Sequence, residues 1–150
     1  MWLYFMKRIA ILILTISVVI IAVIFAGFKE QEIEVINVNK FNLEYEEYNK
    51  DKLNGLDVTT VMNMATSNNE KYEIPKDENG LYILDDKYSI EVYVTMIINE
   101  TTYKMETFRA PEKNSSFIRY FGEVNFKCTE ITYHESTGRV ASMTFEATEY

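Results

Sequence analysis

The chain has 150 residues, 47% of them hydrophobic and 25% charged, with a formal net charge of −8. Residues 1–28 hold Lys7 and Arg8 and no acid, so they supply +2 and leave −10 on the rest, which excludes a nucleic-acid binder working by general attraction to phosphate. One Cys and one His exclude an internal disulfide and are too few ligands for a Cys/His metal site.

From Ile9 to Phe28 there is no charged residue. At about 1.5 Å per residue such a run makes a helix of about 30 Å, the thickness of a bilayer's hydrocarbon core, so Ile9–Phe28 is predicted to be a transmembrane helix with the lipid bilayer as its partner. The run is longer than the apolar region of a cleaved signal peptide. The small-residue spacing of a cleavage site is also missing around Ala22–Val23–Ile24–Phe25–Ala26, so a retained signal anchor is preferred to a cleaved leader. Lys7 and Arg8 precede the run, whereas Lys29 is followed by Glu30, Glu32 and Glu34. This asymmetry predicts a cytoplasmic N-terminus and an extracytoplasmic C-terminal domain at the cell membrane. Trp2, Tyr4 and Phe5 fit an interfacial aromatic belt, and a true start at Met6 stands beside that reading.

The spacing predicts a cytoplasmic segment over 1–8, the membrane helix over 9–28, a juxtamembrane helix or linker over 29–54 and an extracytoplasmic α+β domain over 55–150. Val38, Phe41, Tyr45 and Tyr48 recur at helical steps. Gly55 is read as the stop of that helix, with Asp57 as the N-cap of a second short helix whose apolar stripe is Val58, Val61, Met62 and Ala65. Ser67–Asn68–Asn69 is expected to end it.

Beyond Tyr72 the period changes. Lys76–Asp77–Glu78–Asn79–Gly80 is read as a turn, and Asp85–Asp86–Lys87 as another. Ile90, Val92, Val94, Met96 and Ile98 alternate with Glu91, Tyr93 and Thr95, which predicts a half-buried strand at the sheet centre. A partner strand is expected over Thr102–Phe108. Asn114–Ser115–Ser116 is placed as the cap of a short helix carrying Phe117, Ile118, Tyr120 and Phe121 up to Gly122. Val124–His134 and Arg139–Ala147 form the last hairpin, with Gly138 in the left-handed position of its turn. Helices first and strands after predict an α+β fold: an N-terminal transmembrane helix continuing into an amphipathic helix, a second short helix, then an antiparallel β-sheet.

No residue carries a chemical signature. His134, at a strand end beside a turn, is expected to be exposed and lacks a nucleophile motif around it. Cys128 shares strand parity with Val124 and Phe126 and is read as a small buried hydrophobe. Asp77–Glu78–Asn79–Gly80 lacks the glycine and glutamate spacing of an EF-hand, and Asp85 and Asp86 are read as solvating a loop, with a weak surface calcium site as the second reading. Asn99–Glu100–Thr101 and Asn114–Ser115–Ser116 match the glycosylation sequon. Tyr103, Tyr120 and Tyr150 are the tyrosines picked out as candidates for exposure. No catalytic, metal or cofactor-binding residue is predicted, and no cofactor.

Asn54–Gly55–Leu56–Asp57–Val58–Thr59–Thr60–Val61–Met62–Asn63, Asn125–Phe126–Lys127–Cys128 and Tyr133–His134–Glu135–Ser136–Thr137–Gly138–Arg139–Val140 resemble an uncharacterised group of small single-pass membrane proteins of low-GC Gram-positive bacteria. That resemblance implies an anchored architecture and no biochemical activity. The order of parts is also similar to that of type IV pilins and pseudopilins. Those proteins are cut between Gly and Phe before the apolar helix, whereas Gly27–Phe28 and Glu32 follow it here. The expected function is a non-enzymatic, membrane-anchored interaction or assembly module, pilin-like in layout, with a protein partner and no nucleic acid. The alternative is an anchored accessory domain binding a small molecule or cell-wall component, for which an open cleft of tyrosines and acids would be the mark.

Overall fold

The uncharged run Ile9–Phe28 passes directly into an amphipathic stretch, and the two form one helix, α1 (Trp2–Glu46). The computed structural model describes residues 2–97, 101–108 and 117–149, and the chain divides into two compact units, Met1–Asn37 and Val38–Tyr150. In the first unit, Met6–Lys29 is long and apolar enough to cross a membrane. Its described side chains, such as Val19 and Phe25, are exposed.

The second unit begins with the last turns of α1. Tyr45 is buried, and Phe41 and Tyr48 pack against the same core, as the three- and four-residue spacing predicts. Strand β1 (Leu53–Asn54) leads into α2 (Gly55–Lys71). The α2 cap is Asn54, whose side chain accepts from the Leu56 and Asp57 N–H groups while the Asp57 carboxylate accepts from the Asn54 N–H. Asp57 is therefore the reciprocal acid of a capping box rather than the cap itself, and Gly55 opens the helix instead of stopping one. Val58, Val61, Met62 and Ala65 are all buried.

The helix also runs past Asn68 and Asn69 to Lys71. Its end is a Schellman arrangement, in which the Ile74 N–H donates to the Asn69 carbonyl and the Glu73 N–H to the Glu70 carbonyl. Glu73 occupies the left-handed position at φ 53°, where glycine is usual. A sequence without that glycine gives no sign of where the helix stops.

The strands that follow are β2 (Glu91–Met96), β3 (Thr101–Lys104), β4 (Asn125–Tyr133) and β5 (Val140–Glu149). The sheet order is β1-β4-β5-β2-β3. Neighbours are antiparallel except β2 and β5, which run parallel, so the fold is α+β with a mixed sheet rather than the expected antiparallel one. Alternation marks a strand as half-buried but carries no information on the direction of its neighbours. β5, not β2, is the central strand. The strand expected over Thr102–Phe108 ends at Lys104 and tightens into a 3₁₀ turn, Met105–Phe108.

Register sorts the sheet into two faces. Val92 and Val94 lie beside Met143 and Phe145, all fully buried, with Phe126 and Ala147 in the same core. The other face carries Thr95 and Thr102 joined at 2.8 Å, Thr132 and Ser142 at 2.7 Å, and the Lys127–Glu146 ion pair at 2.9 Å. A helical turn at 117–121 is closed by the Gly122 N–H on the Ile118 carbonyl. The expected cap Asn114–Ser116 lies outside the described residues, as do Asn99, Glu100 and Tyr150. Gly80 and Gly138 have φ of 79° and 68°, which the turns at 76–80 and 135–139 require.

Candidate functional site

Cys128 and His134 are the two side chains from which sequence would build chemistry. Cys128 is half-buried and its Sγ lies 3.5 Å from the Glu130 carbonyl. Burial pushes its thiol pKa up against that weak hydrogen bond, the opposite of an activated thiolate. His134 is buried instead of exposed, at 8%. Its Nε2 is 2.7 Å from the Ser89 carbonyl, which can only accept, so Nε2 carries the proton.

His134 belongs to a larger hub at the tip of the β4–β5 hairpin. The Arg139 guanidinium lies 3.6 Å from the Phe41 ring centroid, 5.0 Å from Tyr72 and 5.7 Å from Tyr88. Tyr72 and Tyr88 stack on each other at 4.5 Å. The guanidinium thus lies on the Phe41 face and beside the Tyr72–Tyr88 stack, and it also donates to Asn68 Oδ1 at 3.0 Å.

Two buried asparagines complete the hub. Asn69 donates to the Ile90 carbonyl at 2.8 Å and accepts from the Ile90 N–H at 2.7 Å; Asn42 does the same to the Gly138 carbonyl and the Val140 N–H, at 2.8 and 3.0 Å. Each side-chain amide stands in for a neighbouring strand. Ser136 and Thr137 donate to the Asp86 and Lys87 carbonyls. Asp85 accepts from the N–H groups of Lys87, Tyr88 and Ser89, so its carboxylate is engaged by its own loop. Among the described residues, no group of three or more His, Cys, Asp or Glu converges as a metal site would need.

A second cluster lies on β2, β3 and the 3₁₀ turn. Tyr93 pairs with Lys104, the last residue of β3, in the β2–β3 register, and Glu106 follows in the 3₁₀ turn, which packs against β2. Glu91 is 0% exposed although it shares parity with Tyr93 and Thr95. Its Oε2 accepts from Lys104 Nζ at 3.3 Å, and Glu106 Oε1 accepts from the Tyr82 N–H at 3.0 Å. The remaining oxygens, Glu91 Oε1 and Glu106 Oε2, are buried and receive no donor among the described residues.

Burial first and the Glu106 charge second, against the nearby Lys104, push the Glu91 carboxyl up from 4.5 to about 7. The Lys104 ammonium loses some hydration, which lowers its pKa, but the Glu91 charge outweighs this and raises it overall.

No family model, curated protein or solved structure matches this chain. The side-chain geometry therefore carries the functional reading.

That geometry fits two kinds of work. The Arg139 hub fastens four segments together, and the Glu91–Glu106 cluster puts two carboxyl groups with buried oxygens beside one lysine. Glu91 has no exposed surface from which to reach a substrate. Of the tyrosines picked out by sequence, Tyr103 is half-buried against Phe108, and Tyr120 is 68% exposed.

Glu91, Glu106, Asn42, Asn69 and Arg139 were not apparent as site residues in sequence. For Glu91, parity pointed outward, and nothing in the spacing marks the 3₁₀ turn that carries Glu106 onto β2.

Proposed function

We propose that the protein is a membrane-anchored extracytoplasmic interaction or assembly module without enzymatic activity, pilin-like in the order of its parts. The observation that carries this reading is Met6–Lys29, an apolar helix whose described side chains are exposed and which leads into a head with a well-filled core. Lipid is the solvent in which such a surface is stable. Lys7 and Arg8, immediately before the uncharged run Ile9–Phe28, support an inward N-terminus.

The use of these rings within the fold favours interaction over small-molecule capture. Tyr72, Tyr88 and Phe41 would suit the wall of a ligand cleft, but Tyr72 and Tyr88 are stacked on each other and Phe41 is covered by Arg139.

The test is retention and its consequence. The full-length protein is expected to stay in the membrane through carbonate washing at its uncleaved length, and Val19→Lys to weaken retention through an insertion penalty of about 2.5–3.5 kcal/mol. A head secreted behind an unrelated cleavable leader is expected not to complement deletion of the gene. Full complementation by the secreted head would overturn the anchored reading.

A further inference from the structure

Two carboxyl groups brought together repel when both are charged. In a buried site, water cannot screen them. Glu91 on β2 and Glu106 in the 3₁₀ turn packed against β2 are such a pair, with Glu91 fully buried, one oxygen of each buried without a donor among the described residues, and Lys104 as the adjacent cation. Tyr93, half-buried on the same strand, is the other titratable group acting with them. Across the β2–β5 pairing the neighbour of Glu91 is Ser142, which is uncharged, and Glu146 further along that face is paired with Lys127. Among the described residues, Lys104 is the ammonium that acts on both carboxyl groups.

Glu106 also sits on a structural joint. Its Oε1 holds the Tyr82 N–H, in the arm closed by the Lys76–Tyr82 bridge, and its turn begins directly where β3 stops at Lys104. β3 is a four-residue edge strand, paired to β2 alone. Short edge strands are among the least stably held parts of a sheet.

We propose that the Glu91–Glu106 pair is a proton-dependent latch, which clamps the 3₁₀ turn and edge strand β3 onto β2 while one proton is shared and releases them when that proton is lost. The proton bridges the carboxyl groups, leaving one negative charge to be balanced by Lys104. Its loss to solvent leaves two neighbouring carboxylates against the Lys104 ammonium. The repulsion is relieved by moving the turn that carries Glu106, which uncovers the hydrogen-bonding edge of Tyr93–Met96.

The experiment is hydrogen exchange resolved over residues 101–108 of the full chain in neutral detergent, from pH 5 to 8, corrected for the intrinsic pH dependence of exchange. Wild-type protection in this segment is expected to fall by tenfold or more over that range, with β4 and β5 unchanged. Glu91→Gln and Glu106→Gln, which keep the shape and remove the second charge, are expected to hold protection constant. Infrared spectra give a readout that needs neither variant to fold: the wild type should keep the carbonyl stretch of a protonated carboxylic acid above pH 5. Constant wild-type protection overturns the proposal, as does a fall of equal size in folded Glu91→Gln, or the absence of the acid band above pH 5.

Discussion

The guanidinium of Arg139 rests 3.6 Å from the centre of the Phe41 ring, so the start of β5 is fastened to the last turns of α1. Those turns belong to the folded head: Asn42 bonds Gly138 and Val140, and Tyr45 is 2% exposed in the core. A chain starting near residue 38 is expected to fold as a soluble acidic domain, whereas one starting at residue 47 loses Phe41, Asn42 and Tyr45 together and is expected not to. Circular dichroism of both fragments is the check. A cooperatively folded 47–150 fragment would show that the hub is dispensable.

Gly55 is required by a close approach rather than by a left-handed backbone. A Cβ there would stand 1.9 Å from the Phe121 carbonyl oxygen, a backbone atom that no rotamer change can move aside. Gly55→Ala is therefore expected to cost about 3 kcal/mol or more by overpacking. Gly138 meets nothing within 4 Å, so Gly138→Val should cost only the left-handed penalty of about 1–2 kcal/mol. Denaturation midpoints that rank the two substitutions the other way would refute this assignment.

Much of the fold was legible because it rests on periodicity. The Val58–Ala65 stripe, the strand through Val92 and Val94, the last hairpin and the turn at Gly80 all follow from local spacing, and the structure has them where the spacing puts them. The mixed sheet and the central position of β5 were not legible, since both depend on which distant strands meet. The Arg139 hub was hidden for a related reason: Asn68 and Asn69 have the composition of a helix end, yet they bond Tyr88 and Ile90 some twenty residues away. His134 was misjudged similarly, because a strand end beside a turn is exposed unless another loop folds over it, and the 85–89 loop does.

Glu73 adopts φ 53° at the end of α2, a conformation that costs a residue bearing a Cβ about 1–2 kcal/mol. Glu73→Gly removes that strain but gains freedom in the unfolded chain. The net result is expected to be a stabilisation of up to about 1 kcal/mol, seen as a higher denaturant midpoint at unchanged m-value. A lower midpoint would mean that the Glu73 side chain has a role outweighing its backbone strain.

Two carboxyl groups give stability opposite pH dependences. Glu91 is harder to ionise in the fold than in the unfolded chain, so its contribution is complete below 4.5 and is lost as pH rises toward about 7, with a slope of up to about 1.4 kcal/mol per pH unit for one proton. Partial burial raises Asp85, but the N–H groups of Ser89, Tyr88 and Lys87 and the Ser89 hydroxyl outweigh it and hold it at about 2. Its contribution is present above 3.8 and lost as pH falls through about 2. Glu91→Gln is expected to remove the decline between pH 5 and 7 and to be more stable than wild type at pH 8, while Asp85→Asn should flatten only the acid limb. Urea titrations across pH 2–8 test both signs at once.

Neither His134 nor Cys128 is expected to be catalytic. His134 Nε2 is committed to the Ser89 carbonyl in a buried site, and a glutamine amide can donate the same hydrogen bond. Burial raises the Cys128 thiol pKa, and without a thiolate there is no nucleophile. His134→Gln should therefore complement a deletion of the gene in full, and Cys128→Ala should act only through a modest loss of packing, about 1 kcal/mol, the centre of the range for point substitutions. His134→Ala, which leaves the Ser89 carbonyl without its donor, should destabilise the head by about 1–3 kcal/mol and lower its abundance in the cell. Complementation must accordingly be scored at matched protein levels, since a destabilised variant mimics an inactive one. If His134→Gln abolished function at normal abundance, the imidazole would be doing chemistry that its place beneath the 85–89 loop gives no room for, and the non-enzymatic reading would fall.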